Sequence, residues 1–89
     1  MSVMIYKVIL KNGGTYRIRY MSRYASITVD PFDKARKRPT ASQQAEVLAL
    51  HKLFDAIYDL GTSEEVLLTV YLMTLMAAFV RVELIESVE

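Results

Sequence analysis

From Val3 to Lys11 the chain alternates with period two. Met4, Tyr6, Val8 and Leu10 fall on one side, and Ile5, Lys7, Ile9 and Lys11 on the other, which predicts a half-buried strand. Asn12-Gly13-Gly14 is a turn signal. Thr15 to Met21 predicts a second strand, with Tyr16, Ile18 and Tyr20 opposed to Arg17 and Arg19. A two-residue Asn12-Gly13 turn would set Val8 against Arg17 and Tyr6 against Arg19. A three-residue loop, Asn12 to Gly14, instead pairs Leu10 with Tyr16, Val8 with Ile18 and Tyr6 with Tyr20. A one-residue slip inverts a strand's faces, so the pattern selects the longer loop, with a glycine in its left-handed position. Ser22-Arg23 predicts a second turn. Tyr24 to Val29 predicts a third strand, with Ala25, Ile27 and Val29 opposite Tyr24, Ser26 and Thr28, and Asp30-Pro31 ends it.

After a basic loop from Phe32 to Pro39 the period changes. Thr40-Ala41-Ser42-Gln43 has the form of a capping box, and a helix is predicted to Leu60. Its apolar stripe is Val47, Leu50, Leu53, Phe54 and Ile57, with Gln44, His51, Lys52, Asp55 and Asp59 opposite. Gly61 suits a left-handed helix stop. Thr62-Ser63-Glu64-Glu65 reads as a second capping box, and so short a link predicts an antiparallel helical hairpin. The second helix has almost no polar face from Val66 to Phe79, so it is expected to be buried all round. Val80-Arg81-Val82-Glu83-Leu84 alternates with period two and fits a strand or a continued helix. No glycine or proline breaks it, whereas Glu83, Glu86 and Glu89 would oppose a helix C-terminal dipole. The fold class is α+β: a three-stranded antiparallel β-meander, then an antiparallel helical hairpin, with room for a short C-terminal strand. One domain is expected over residues 1–89, with the meander in 1–30, the basic loop in 31–39 and the hairpin and C-terminal segment in 40–89.

Composition sharpens this picture. A chain of 89 residues buries only roughly 60–65% of the surface its unfolded form exposes. Yet 53% of its residues are hydrophobic, above the roughly 45–50% of ordinary domains. That excess predicts a homo-oligomer, most simply a homodimer, formed through Leu68, Leu72, Met76 and Phe79 of the second helix. Cysteine is absent, which excludes disulfides, thiolate zinc sites and cysteine nucleophiles and leans towards a reducing, cytoplasmic location. The N-terminal apolar run is short, is interrupted by Lys7 and lacks a cleavage site, so no signal peptide is expected. The longest uncharged stretch, Val66 to Val80, has 15 residues, short of the roughly 20 that a membrane span needs.

Little catalytic chemistry is visible. Gly13, Gly14 and Gly61 are the only glycines, which excludes a phosphate-binding loop or dinucleotide fingerprint. His51, Asp55 and Asp59 share one helix face, and a solvated polar stripe explains them better than a metal or a general base. No enzyme activity, metal, cofactor or small-molecule substrate is expected.

Charge is more informative. Net charge is +1, but residues 1–40 carry nine lysines and arginines against two aspartates, a net +7. Residues 41–89 carry two basic against eight acidic side chains, a net −6. Such asymmetry points to an anionic partner or to mutual neutralisation of the halves. Lys7, Lys11, Arg17 and Arg19 are predicted on one side of the first hairpin, with Tyr24 added by the third strand. Lys34, Arg36, Lys37 and Arg38 in the loop extend that surface. Two functions fit. One is a non-enzymatic protein-binding module, a stoichiometric inhibitor or adaptor of the phage or mobile-element type, acting through the basic sheet face and the apolar helix. The alternative is nucleic-acid binding through the same sheet face. The order strand, strand, strand, helix with Tyr16-Arg17-Ile18-Arg19-Tyr20 in the second strand resembles the arm-site DNA-binding domains of tyrosine recombinases over roughly residues 5–57. That resemblance implies a sheet placed in the major groove. The loop from Pro31 to Pro39 and the apolar second helix depart from the pattern, so no contact residue is carried over.

Overall fold

The computed structural model describes residues 2–33, 38–78 and 80–88. Strands β1 (Val3–Ile9), β2 (Thr15–Met21) and β3 (Ser26–Pro31) form the meander. Helices α1 (Ala41–Asp59) and α2 (Glu64–Ala77) follow, and a last strand, β4 (Arg81–Val88), returns to the sheet. The sheet is antiparallel with order β3-β2-β1-β4. Of the two conformations open to the C-terminal segment, the chain thus adopts the strand. Its alternation from Arg81 to Leu84 matches the pleat, a bulge at Ile85 then shifts the register, and β1 offers an unpaired edge that a continued helix would have left bare.

The faces follow the alternation, but the register does not follow the expected loop. Val8 stands opposite Tyr16, Tyr6 opposite Ile18 and Met4 opposite Tyr20. The loop is three residues long, Lys11 to Gly13, closed by a Leu10 N–H bond to the Gly14 carbonyl at 2.8 Å. It therefore sits one residue earlier than Asn12 to Gly14, and every cross-strand pair moves by two. A shift of two preserves the faces, so apolar still meets apolar. Side-chain bonding explains the choice. Gly13 takes the left-handed position at φ 90°, and the Asn12 side chain accepts the Gly14 N–H at 2.9 Å, an Asx-type turn. The second loop also differs. Ala25 lies in the turn before β3, with φ 47°, and is not a strand residue.

The covered face carries Val8 and Ile18, both fully buried, with Tyr16, Tyr20, Ile27 and Val29. Leu50, Phe54 and Ile57 of α1 and Leu67, Tyr71 and Leu75 of α2 pack down on it. The Phe54 ring sits between Tyr20, with centroids 6.2 Å apart, and Tyr71, 5.3 Å away and edge-on, the geometry aromatic quadrupoles favour. The Tyr71 hydroxyl donates to the Leu50 carbonyl at 2.9 Å and ties the two helices together. Glu46 holds α1 to the hairpin: one carboxylate oxygen accepts from the Tyr16 hydroxyl at 2.8 Å and the other from the Asn12 amide at 3.1 Å.

The first capping box forms as expected, with Gln43 N–H to Thr40 Oγ1 at 3.1 Å and Thr40 N–H to Gln43 Oε1 at 2.8 Å. The second does not. The N-cap of α2 is Ser63, without a side-chain cap bond, and the residue three further on is Val66, which cannot reciprocate. Glu64 and Glu65 in the first turn supply negative charge at the positive end of the dipole instead. Gly61 makes the left-handed stop at φ 84°, giving the antiparallel hairpin. Within a single chain α2 is not covered all round, and the cover expected of its remaining side is that of a second copy. Val66, Met73 and Met76 are 47%, 60% and 52% exposed, because the sheet and α1 reach only part of the helix circumference.

The tie between the helices can be tested by substitution. Tyr71→Phe keeps the ring and removes one buried hydrogen bond, so urea unfolding should show a loss of about 1 kcal/mol; Tyr71→Ala should cost about 3–5 kcal/mol. Stability should also depend on alkaline pH. Burial, reinforced by the Glu46 carboxylate, pushes the Tyr16 hydroxyl from 10.0 up to about 12. In the unfolded chain it ionises near its ordinary value, so above that pH the unfolded state holds fewer protons than the folded state. Tyr16's contribution is therefore complete below pH 10 and is lost progressively towards pH 12. Burial also raises Tyr6, Tyr20 and Tyr71, which steepens the fall. Tyr16→Phe should flatten the stability profile across that window, as read by circular dichroism.

Candidate binding face

The uncovered face of the sheet follows from the same pleat. Opposite the core residues, β1 presents Ile5, Lys7 and Ile9, β2 presents Thr15, Arg17 and Arg19, and β3 presents Ser26, Thr28 and Asp30. Lys7 and Arg17 stand directly opposite each other, a like-charge pair that is unfavourable alone. The row they share runs Asp30, Arg17, Lys7, Glu83 across the four strands, so each cation has a carboxylate on its outer side. The next row runs Thr28, Arg19, Ile5, Glu86. The acidic second half thus reaches the basic first half through β4.

Phe32 completes the arrangement. Its N–H donates to the Thr15 carbonyl at 2.9 Å, which extends the β2–β3 ladder by one residue and carries the ring onto the outer face. There the ring lies under both cations, 4.8 Å from Lys7 Nζ and 5.2 Å from Arg17 Cζ, within the range of cation–π attraction. Beside it opens a cleft of about 390 Å³ lined by Arg17, Arg19, Asp30, Asp33, Arg38 and Gln43. Three guanidiniums and two carboxylates therefore meet at one opening.

Not all of the expected site residues meet there. Lys7, Arg17 and Arg19 share the outer face, and Arg38 joins Arg17 and Arg19 at the cleft. Lys11 is exposed in the first loop, at the end of the sheet. Tyr24 is not on this face. It is 63% exposed in the β2–β3 turn, lies 5.6 Å from Arg23 Cζ, and lines a cleft of about 170 Å³ with His51, Asp55 and Tyr58 of α1. Lys34, Arg36 and Lys37 lie outside the described residues, as does Phe79. Of the expected oligomer contacts, Leu68 and Leu72 lean on the core, while Met76 is exposed. Sequence reasoning missed Phe32, although counting the β3 alternation on from Ser26, Thr28 and Asp30 reaches it.

His51 Nδ1 lies 3.0 Å from Asp55 Oδ2 on the exposed face of α1. Among the described residues, no group of three or more metal-ligand side chains converges, and no helix is long and apolar enough to cross a membrane. No protein family, curated protein or solved structure matches the chain.

If Phe32 screens Lys7 from Arg17, then Phe32→Leu, which keeps the apolar bulk and removes the ring, should abolish the upfield ring-current shift of the Lys7 side-chain protons in NMR spectra. The stability cost should be about 0.5–1 kcal/mol for each cation–π pair removed. Unchanged Lys7 shifts would place the ring elsewhere in solution.

Proposed function

We propose that this protein is a non-enzymatic binding module that docks on a complementary protein surface through the outer face of its sheet. The observation that carries this reading is the cluster of Arg17, Arg19 and Arg38 at one cleft, beside a Phe32 ring stacked against Lys7 and Arg17. Arginine and aromatic side chains are the groups that dominate the binding energy of protein interfaces. A ring already held by two cations also loses little conformational freedom on docking. The module acts stoichiometrically, as an inhibitor or adaptor, and its lack of cysteine suits a reducing cytoplasm.

Nucleic-acid binding is the second reading, and the sign pattern disfavours it. A backbone-tracking surface needs cations in succession, because each phosphate contacted releases counterions. Here Asp30, Asp33, Glu83 and Glu86 interrupt the cationic rows on both flanks. A protein patch can match alternating signs; a polyanion cannot. The fourth strand on the β1 edge further separates the chain from the arm-site architecture.

Capture from the native host with immobilised protein separates the readings. The expected result is a protein retained in stoichiometric amount after nuclease treatment and lost with the Arg17→Glu, Arg19→Glu double variant. Nuclease-sensitive capture, together with duplex binding whose log K falls by about 0.9 per phosphate contact as log salt rises, would overturn it in favour of nucleic acid.

A further inference from the structure

The two long edges of the sheet are unequal. The β3 edge is short, ends in Pro31 and has α1 packed beside it. The β4 edge runs eight residues, Arg81–Val88, and among the described residues no strand lies beyond it. Its side chains are also under-covered. Leu84 stands opposite the buried Tyr6 and so points to the helix side of the sheet. Yet it is 55% exposed, so α2 does not cover it, and Ile85 and Val88 are 49% and 46% exposed. The ladder with β1 is regular from Arg81 to Leu84 and bulged at Ile85, so the first part of this open edge is the part suited to template pairing with another chain.

We infer that β4 pairs antiparallel with β4 of a second copy, with Val82 on the two-fold axis, to join the two sheets edge to edge. The occupant follows from charge. An axis perpendicular to the sheet keeps each face on its own side, so a residue must meet one of like orientation. With Val82 on the axis, Arg81 meets Glu83 of the second copy twice over, and Leu84 meets Val80 on the helix side. Arg81 Nη2 and Glu83 Oε1 already lie 3.2 Å apart within one chain, so the pairing assembles a four-charge cluster of alternating sign. Neighbouring registers lose this. Centring on Arg81 or on Glu83 sets two like charges face to face, and centring on Leu84 leaves both ions without a charged cross-strand partner. The strand is thus self-complementary in one register. The overlap covers residues 80–84 of each copy, since α2 occupies the chain up to Ala77, and so short a ladder makes a weak dimer. The helix stripe of Val66, Met73 and Met76 has no such signature and does not enter the contact.

Sedimentation equilibrium across the micromolar to millimolar range tests this on the intact chain. The expected wild-type mass rises to twice 10.2 kDa within that range. Arg81→Glu and Glu83→Arg, at an exposed and a half-buried position of an edge strand, should each weaken self-association by at least about tenfold, because two attractive cross-strand pairs become two repulsive ones. Mixed in equal amounts the two variants should regain the dimer, since the register then sets the two carboxylates of one variant against the two guanidiniums of the other. Circular dichroism of each variant alone checks that the fold persists. A monomer mass at every concentration overturns the proposal. So does a dimer that ignores both charge variants, or one dissociated by Met73→Glu with Met76→Glu, which would place the contact on α2. Loss of partner capture by the Arg17→Glu, Arg19→Glu variant is independent of all these outcomes.

Discussion

The structure depends on one constraint: the two-residue period of the pleat with helices on a single face. Val8, Tyr16 and Ile18 are at most 1% exposed only because each points the same way as Tyr6, Tyr20, Ile27 and Val29. Slipping either β1 or β2 by one residue would drive Lys7 or Arg17 beneath α1 and α2, where an unpaired charge is prohibitively costly. The uncovered face is the complement of that requirement. Once the tyrosines and aliphatics are committed to the helices, Lys7, Arg17 and Arg19 have no other side to occupy, and the Phe32 ring lies against both members of the like-charge pair they create, with Asp30 and Glu83 next in the same row.

Parity also explains what could and could not be read from the chain. The alternation fixes which residues share a face, and that part was legible within each of β1, β2 and β3. It does not fix register, because loops starting at Lys11 or at Asn12 both give apolar pairs and both offer a glycine for the left-handed position. The decision lies in the Asn12 side chain capping Gly14 and reaching Glu46, a partner 34 residues away in sequence. The fate of residues 80–88 was equally undetermined locally. Their alternation becomes a strand because β1 has a free edge, which is a tertiary fact. The cover of α2 within one chain has a related tertiary limit: its composition is apolar all round, but one sheet and one antiparallel neighbour have only two directions from which to cover it. The missing second cap shows the opposite limit, since Thr62 and Glu65 have the right spacing while the helix starts one residue later, at Glu64.

The candidate face was legible in its cations and not in its context. Lys7, Arg17 and Arg19 followed from the hairpin alone. Phe32 belongs to the same alternation beyond Pro31, and a proline at a strand end is compatible with the ladder continuing past it. Tyr24 was misplaced because the β2–β3 turn takes four residues, from Ser22 to Ala25, so the strand parity does not extend back to it. The surface as a whole turned from basic to alternating in sign through Glu83 and Glu86, whose presence there depends on β4.

These features acquire a joint meaning when the edge and the face are considered together. An axis perpendicular to the sheet preserves sidedness, so pairing two β4 edges puts both outer faces on the same side of one surface. Going from β2 through β1 and β4 to the second copy's β2 takes five inter-strand steps of about 4.8 Å, which sets the two arginine-bearing strands roughly 24 Å apart before twist. Antiparallel symmetry also reverses their directions, so the two clefts point opposite ways along the strands. Such a display favours a partner that is itself two-fold symmetric, or two partner molecules brought side by side. In the first case the second contact forms at the effective concentration set by a rigid sheet and needs no linker to be ordered. Two such clefts held at fixed separation would demand of a partner both the alternating signs and the spacing.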